Sequence, residues 1–589
     1  MSGLGFIDIF IVAVYILVLV CIGLWAKKRA ARGVDAYFLG DRKLPWWMLA
    51  MSGSSSYWDI TGTMWIVSLL CIMGMKAMWH QWIWGFPLPV FFAFFMGKWI
   101  NKSKVLTAAE WMKTRFGEDR AGSSARSAYA VLAIVTVTGF LAYDAVGMGK
   151  FGTQFLPFSK NVCSILILGT TGIYIIFGGF HSLILTEVVQ TIIMSVGALV
   201  ICIIGFTHVD LAALAQKAAG SFYSLSIHWK EPAFAETEFF LFGALAIAWV
   251  SKGFLLCFGG PEQLYDFQRF LSAKNEKDAS KLGLLWGALH TLRWPMAMGI
   301  ALLFLSGFKG VKDYESVLPA VINEFLPVGV RGIVLAALLA AFMSTFNSTV
   351  NAGASYLVVD IYKKHLNPKA TQKQLVRAGY LSSFLLIATG IAIGATAQSI
   401  HKVFQWIMAA LGAGVLLPNF LRWYWWRLNG WGYSIGVFAS LALAIVVLFN
   451  PEIPEYVYAP ILNAVALLGC VLGSLLTRPV DDATIGNFFR RVRPLGWWGP
   501  VRARSGLTAA VLYRGQDHPG RIVVNVVLGM TALFSSYLFP IYLIGHWFLW
   551  ATVSILVFTA SAVALYFTWY RWLEHDEDGP AASTETLKP

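Results

Sequence analysis

The chain contains 589 residues, of which 58% are hydrophobic and 13% charged, with a formal net charge of +14. A soluble globular domain is excluded: such domains carry about a quarter of charged residues, whereas apolar windows of about twenty residues, long enough to cross a bilayer as helices, recur throughout this sequence. No nucleic-acid partner is expected from the basic excess, because Lys and Arg fall in short segments between the apolar windows, as loops at a membrane surface do.

The amino terminus, MSGLGFIDIF, lacks the basic start of a secretory signal, and the run that follows is long enough to span, so it is expected to remain as the first helix. Apolar run length predicts about fifteen spans, in an all-α polytopic fold. They lie near 6–26, 44–73, 77–98, 125–150, 160–177, 184–206, 237–260, 281–308, 317–361, 375–397, 401–426, 431–449, 457–477, 521–544 and 547–572. The six cysteines, Cys21, Cys71, Cys163, Cys202, Cys257 and Cys470, all sit within such runs without metal-ligand spacing, which predicts neither disulfides nor a zinc site.

The distribution of charge orients the chain. Lys27, Lys28, Arg29, Arg32, Arg42 and Lys43 follow the first span, which predicts a cytoplasmic loop there and an external amino terminus. Alternation then keeps Lys102, Lys104, Lys113 and Arg115, the cluster Lys363 to Arg377, and the basic segment from Arg490 to Arg504 inside, with the carboxy terminus. The expected organisation is an amino-terminal helix and basic loop (1–43), a first helical unit (44–206) and a second (237–426). Extra helices (427–477), a basic cytoplasmic loop (478–520), and two last helices with a tail (521–589) complete it.

Spans two to six and seven to eleven make two units of five helices, and an odd number inverts the second unit relative to the first. The first helix of each unit is interrupted by small residues: Ser52-Gly53-Ser54-Ser55-Ser56 and Thr61-Gly62 in one, Ser251-Lys252-Gly253 and Gly259-Gly260-Pro261 in the other. Matching interruptions of this kind point to a transport site near the bilayer midplane.

The most polar stretch inside a span is AAFMSTFNSTVNAGASYLVVDIY, Ala340 to Tyr362. Ser344, Thr345 and Ser348 lie three or four residues apart, so a helix brings their hydroxyls to one face. Hydroxyls there, with carbonyls freed by a broken helix, form the kind of neutral oxygen set that an alkali cation requires in lipid. Small polar residues also serve simply to pack helices closely.

Four segments resemble the sodium:solute symporter family, over roughly Phe6 to Trp426. They are Ser344-Thr345, Asn351 and the closing Asp360-Ile361-Tyr362; GGFHSLILTEVVQ, Gly178 to Gln190, with Glu187 where an aspartate is usual; QRFLSAK, Gln268 to Lys274; and RLNGWG, Arg427 to Gly432. The resemblance implies a LeuT-like five-plus-five inverted repeat, with one extra amino-terminal helix and about four extra carboxy-terminal ones. It also implies co-transported sodium, held by the carbonyls of Ser52, Ser55 and Ala341 and the hydroxyls of Ser344 and Thr345. A possible second sodium falls at Glu187 and Ser348, with Asn347 standing where a serine is usual.

Charges inside a span need a partner or a wet cavity, which singles out Asp59, Asp144, Glu187, Lys252 and Arg293. Asp59, just past the first break, is the first candidate for touching solute, with Trp58, Gln81, Gln263, Tyr265, Arg293 and Gln405 around it and Trp79 and Trp406 completing the wall. Ion pairing of Asp59 or Asp144 with the bases is the structural alternative. The expected function is sodium-coupled import of a small polar organic solute by alternating access, in a cell (inner) membrane, by a monomeric unit. A sugar-like solute is favoured over an organic or sugar acid. A transporter-like sensor would need a cytoplasmic domain of about a hundred residues, which the short tail after Trp572 does not provide. An enzyme would need a nucleophile and base or clustered metal ligands, so no catalytic residue is assigned.

Overall fold

The computed structural model describes residues 4–575 apart from 31–33, 40–43, 104, 106, 211–221, 236, 238, 261–263, 307–310, 312, 398, 408–414, 451–452, 509–511 and 513–517. Twelve helices among them are long and apolar enough to cross a membrane. Of the remaining expected spans, those near 77–98 and 401–426 are carried by shorter or interrupted helices, and that near 160–177 is part of a longer helical run.

Helix α1 (Phe6–Ala30) precedes the first unit. There the first span is split into α2 (Trp46–Ser55) and α3 (Ile60–Met73), separated by a non-helical Ser56–Asp59 segment. A 3-10 turn run (Gly74–Trp84), a composite helix over 88–103, and α4 (Arg120–Gly152) follow. The two spans expected at 160–177 and 184–206 form one helical run, α5 (Lys160–His208, 49 residues). A straight helix of that length would reach about 74 Å, more than twice the thickness of a bilayer core.

The second unit begins with α6 (Phe242–Gly259) and α7 (Leu264–Ser272). The expected interruption at Ser251-Lys252-Gly253 is absent, because α6 runs through it. Helix α6 ends instead at Gly260, whose φ of +86° an L side chain rarely adopts. Helix α7 lies beyond the expected end of that span. Helices α8 (Glu276–His290) and α9 (Arg293–Leu305) make the next span. The long run expected at 317–361 is two elements, a short helix Val317–Phe325 and α10 (Val330–Ser355), which a π-helical turn extends to Leu366. Then come α11 (Gln372–Thr396) and a pair of short helices, Ile400–Ile407 and Leu416–Tyr424.

Helix α10 is the hub. Its most apolar window is 89% buried, against 22% for α1 and for the last helix, and it packs on α1, α2, α4, α5 and α11. Asp8 of α1 anchors the hub's start: Oδ1 accepts from Gly329 N and Gly332 N, both 2.8 Å, and Oδ2 pairs with Arg331 Nη2 at 3.0 Å. The other end is clasped to α4, where Asp360 Oδ1 meets Arg126 Nε at 2.6 Å and Oδ2 accepts from Thr107 at 2.9 Å.

Beyond the two units lie helices Gly430–Leu448, Glu455–Leu475, Pro519–Ile544 and Phe548–Leu565. The basic segment read as a loop at 478–520 holds a helix, Asp482–Val492, that buries Ile485, Phe488, Phe489 and Val492. Phe488 meets the Trp111 ring edge-on at 5.6 Å, so this segment docks on the body of the protein.

Candidate functional site

The break between α2 and α3 frees backbone groups at the centre of the fold. Ser52 O accepts the hydroxyls of Ser55 and Ser56, each at 2.9 Å, and Ser55 O accepts Trp58 N at 3.0 Å. From α10, Ser344 Oγ donates to Ser55 Oγ at 2.7 Å, while Thr345 Oγ1 donates to Ser56 O at 2.7 Å with Ala341 O at 3.3 Å. All five residues expected around sodium thus meet in one patch, at most 7% exposed. Hydroxyls that donate to each other here also carry free lone pairs, and a hard cation takes such neutral oxygens in place of water.

The acid expected at a second sodium is differently placed. Glu187, wholly buried on α5, pairs with Arg269 of α7, Nη2 to Oε2 at 3.1 Å. Ser52 Oγ also donates to Glu187, and Ser348 Oγ reaches its other oxygen at 2.5 Å. The same guanidinium donates to Ser52 Oγ (3.0 Å), Ser56 Oγ (3.1 Å), Ser348 Oγ (2.5 Å) and Tyr265 O (2.9 Å). The acid and hydroxyls that would receive a second cation are therefore filled by the chain's own cation. Asn347, where a serine is usual, is buried.

Sequence reasoning quoted Arg269 but gave it no role. The requirement that a buried acid be paired would have raised it, had the seventh span been extended through Gly260. Ser56 was also missed, although it closes the Ser-Gly-Ser-Ser-Ser run.

Against this patch lies a cavity with a mixed polar and aromatic lining. Asp59, Gln81, Tyr265 and Arg293 line it as expected, and so do Ser56, Thr345 and Asp144. Aromatic rings of Trp65, Trp84, Phe140, Tyr143 and Trp286 make most of the wall. Trp58 is buried but does not line the cavity. Trp79 turns its indole to Leu225 O at 2.9 Å, in the segment that covers the 3-10 run, and Lys252 is buried elsewhere on α6. Gln263 and the side chain of Gln405 lie outside the described residues.

Arg293 is occupied by the break itself. Nε donates to Thr63 Oγ1 at 3.1 Å, Nη1 to Tyr57 O, and Nη2 to Asp59 O at 3.1 Å and Asp59 Oδ1 at 2.8 Å. Asp59 in turn caps α3, with Oδ2 accepting Gly62 N at 2.6 Å. The pair braces the carbonyls that leave α2 and the first turn of α3. Tyr265 closes the other flank, its hydroxyl donating to Ser56 O at 3.2 Å.

With this geometry in place, the chain's relatives are informative. The model of the sodium:solute symporter family matches residues 37–439. The chain belongs to that family. It is 25% identical to the sodium/glucose cotransporter of Vibrio parahaemolyticus, over 76% of this chain and 86% of the relative. To sodium/glucose cotransporter 1 of Oryctolagus cuniculus it is 26% identical, over 81% of this chain and 80% of that one. A solved structure of a Na+-coupled sialic acid symporter, substrate-bound and outward-open, superposes with a TM-score of 0.68 at 19% identity. The match covers 81% of this chain and 99% of that one, which gives the LeuT-like fold. As a sodium:solute symporter of this fold, the protein co-transports sodium.

Proposed function

We propose that the protein imports a small polar, sugar-like solute with one sodium ion per cycle, by alternating access, in a cell (inner) membrane. In this reading the amino terminus is external, the carboxy terminus is cytoplasmic, and one chain is a complete transport unit. The sodium is held by Ser52, Ser55, Ala341, Ser344 and Thr345, and the solute by Asp59, Gln81, Tyr265 and their aromatic neighbours. The observation that carries this is Ser56. Its carbonyl accepts the Thr345 hydroxyl from the cation patch and the Tyr265 hydroxyl from the solute cavity. A cation that draws on the Thr345 hydroxyl changes what that shared carbonyl receives, and so what Tyr265 can do.

Two further features support the details. The Arg269 guanidinium beside Glu187 favours one sodium over two. An organic-acid solute is less well supported, because Arg293 is engaged with Asp59 and three other acceptors. The test is uptake of radiolabelled sugars, amino sugars, organic acids and amino acids into proteoliposomes, with an inward sodium gradient or with potassium in its place. Uptake that requires sodium and saturates supports the reading. Uptake indifferent to sodium would overturn it.

A further inference from the structure

Asp144 lies on α4 at the level of the break. One helical turn on, Gly147 brings α4 so close to α3 that a Cβ there would stand 2.1 Å from Thr61 Oγ1. Asp144 therefore faces the same space as the first turn of α3. It is 2% exposed and lines the cavity, and its Oδ2 has no hydrogen-bond partner.

A buried carboxylate without a partner is costly, and in proteins such groups are normally met by a cation or by several donors. The other charges on the wall do not supply one. Arg293 is paired with Asp59 at 2.8 Å, so the two cancel. Of the two imidazoles, His80 accepts the Trp65 indole N–H at 3.5 Å, and His290 packs edge-on against Tyr57 at 5.4 Å. Among the described residues none forms an ion pair with Asp144. The cavity is thus left with one carboxyl group that no charged side chain meets, beside the rings of Phe140, Tyr143 and Trp65. A carboxylate next to aromatic faces is the environment that a desolvated ammonium prefers.

We propose that the solute is a hydroxylated molecule carrying a protonated amine, of the amino-sugar class, and that Asp144 receives the ammonium group. This rests on the sodium-symport reading and specifies its substrate. Gln81 and Tyr265 then serve the hydroxyls, and the Asp59–Arg293 brace stays intact.

The test uses purified full-length protein and three probes that share a ring and differ in charge: glucosamine, glucose and glucuronate. Binding is measured at about pH 6, where a primary amine of this kind is protonated, with sodium present or replaced by potassium. The wild type is expected to bind glucosamine about tenfold more tightly than glucose, with glucuronate weakest. Asp144→Asn is expected to bring glucosamine and glucose within about twofold of each other, and Asp144→Glu to restore the order. A sodium-induced rise in melting temperature shows that each variant is folded. A wild type that prefers glucose or glucuronate, or that binds none of the three in sodium, would overturn the proposal. So would an Asp144→Asn variant that keeps the amine preference. Failure of the symport reading looks different: no probe and no melting temperature would then respond to sodium.

Discussion

Replacing Arg269 with glutamine isolates the carboxylate at the centre of the molecule. The Glu187–Arg269 pair is wholly buried at 3.1 Å, and at an effective dielectric of about 20 that separation corresponds to about 5 kcal/mol of attraction. Removing one partner of a buried pair typically costs about 3–5 kcal/mol, because the remaining charge loses its compensation. Arg269→Gln also removes donors from Ser52, Ser56 and Ser348. A loss of that size is expected in detergent melting at low sodium, with part of it recovered by adding Glu187→Gln. The variant carries a further signature. Its vacated space holds one acid and three hydroxyls, a set that fits sodium, so the variant should be stabilised by sodium more strongly than the wild type. Ligand at a hundred times its dissociation constant contributes about 2.7 kcal/mol. The assay is a sodium titration of melting temperature in both proteins, with the number of bound ions counted by radioactive sodium. Two ions bound by the wild type, or a loss below about 1 kcal/mol in Arg269→Gln, would refute the idea that the guanidinium occupies a cation's place.

Thr345→Ala and Ser344→Ala should each lower the apparent sodium affinity of uptake at least tenfold while costing only about 1 kcal/mol of stability. Unchanged sodium dependence in both would remove these hydroxyls from the site. Asp360→Asn leaves Arg126 without the carboxylate it meets at 2.6 Å and should cost about 3–5 kcal/mol in melting experiments. A variant as stable as the wild type would show that the clasp between α4 and the hub is unimportant. Gly147→Val forces a side chain onto Thr61 and should cost about 1–3 kcal/mol. Adding Thr61→Ala should return part of that loss, and strict additivity of the two changes would argue against direct contact.

Much of the patch proposed to hold sodium was legible because it is local. Ser344, Thr345 and Ser348 share a face at helical spacing, and the serine run before Asp59 marks the break that opposes them. Of the two interruptions expected in the second unit, the one at Gly259-Gly260 is present and the one at Ser251-Lys252-Gly253 is not. Small residues at Ser251-Lys252-Gly253 and the Gly259-Gly260 pair look alike in sequence, and only at Gly260 does the backbone take a positive φ. Partners distant in sequence stayed hidden. Asp8 reads as an acid at the start of an apolar run, yet its guanidinium partner is 323 residues away. Arg269 lies 82 residues from Glu187 and fell beyond the expected end of its span. The composition of α5 shows two apolar stretches, but nothing in it shows that the helix continues between them. Asp144 was noticed as a charge in a span. That it lacks a partner depends on where Arg293 goes, which only the fold decides.

The arrangement around Ser56 gives the proposed coupling a physical basis. One residue touches three systems: its carbonyl takes hydroxyls from Thr345 and Tyr265, its own hydroxyl bonds Ser52 O and takes an N–H from Arg269, and it lines the solute cavity. Apart from the bond to Ser52 O, which stays on α2, these bonds tie the break to two other helices: α10 through Thr345, and α7 through Tyr265 and Arg269. A sodium ion in the patch draws on Thr345, whose hydroxyl shares the Ser56 carbonyl with that of Tyr265. It therefore shifts the balance between α10, α7 and the broken helix. A solute that engages Tyr265 from the cavity side shifts the same balance. Linkage requires the two effects to be equal, so whatever factor sodium adds to solute affinity, the solute adds to sodium affinity. The break is thus more than a source of spare carbonyls. It is the shared element through which either ligand changes the state that the other one meets.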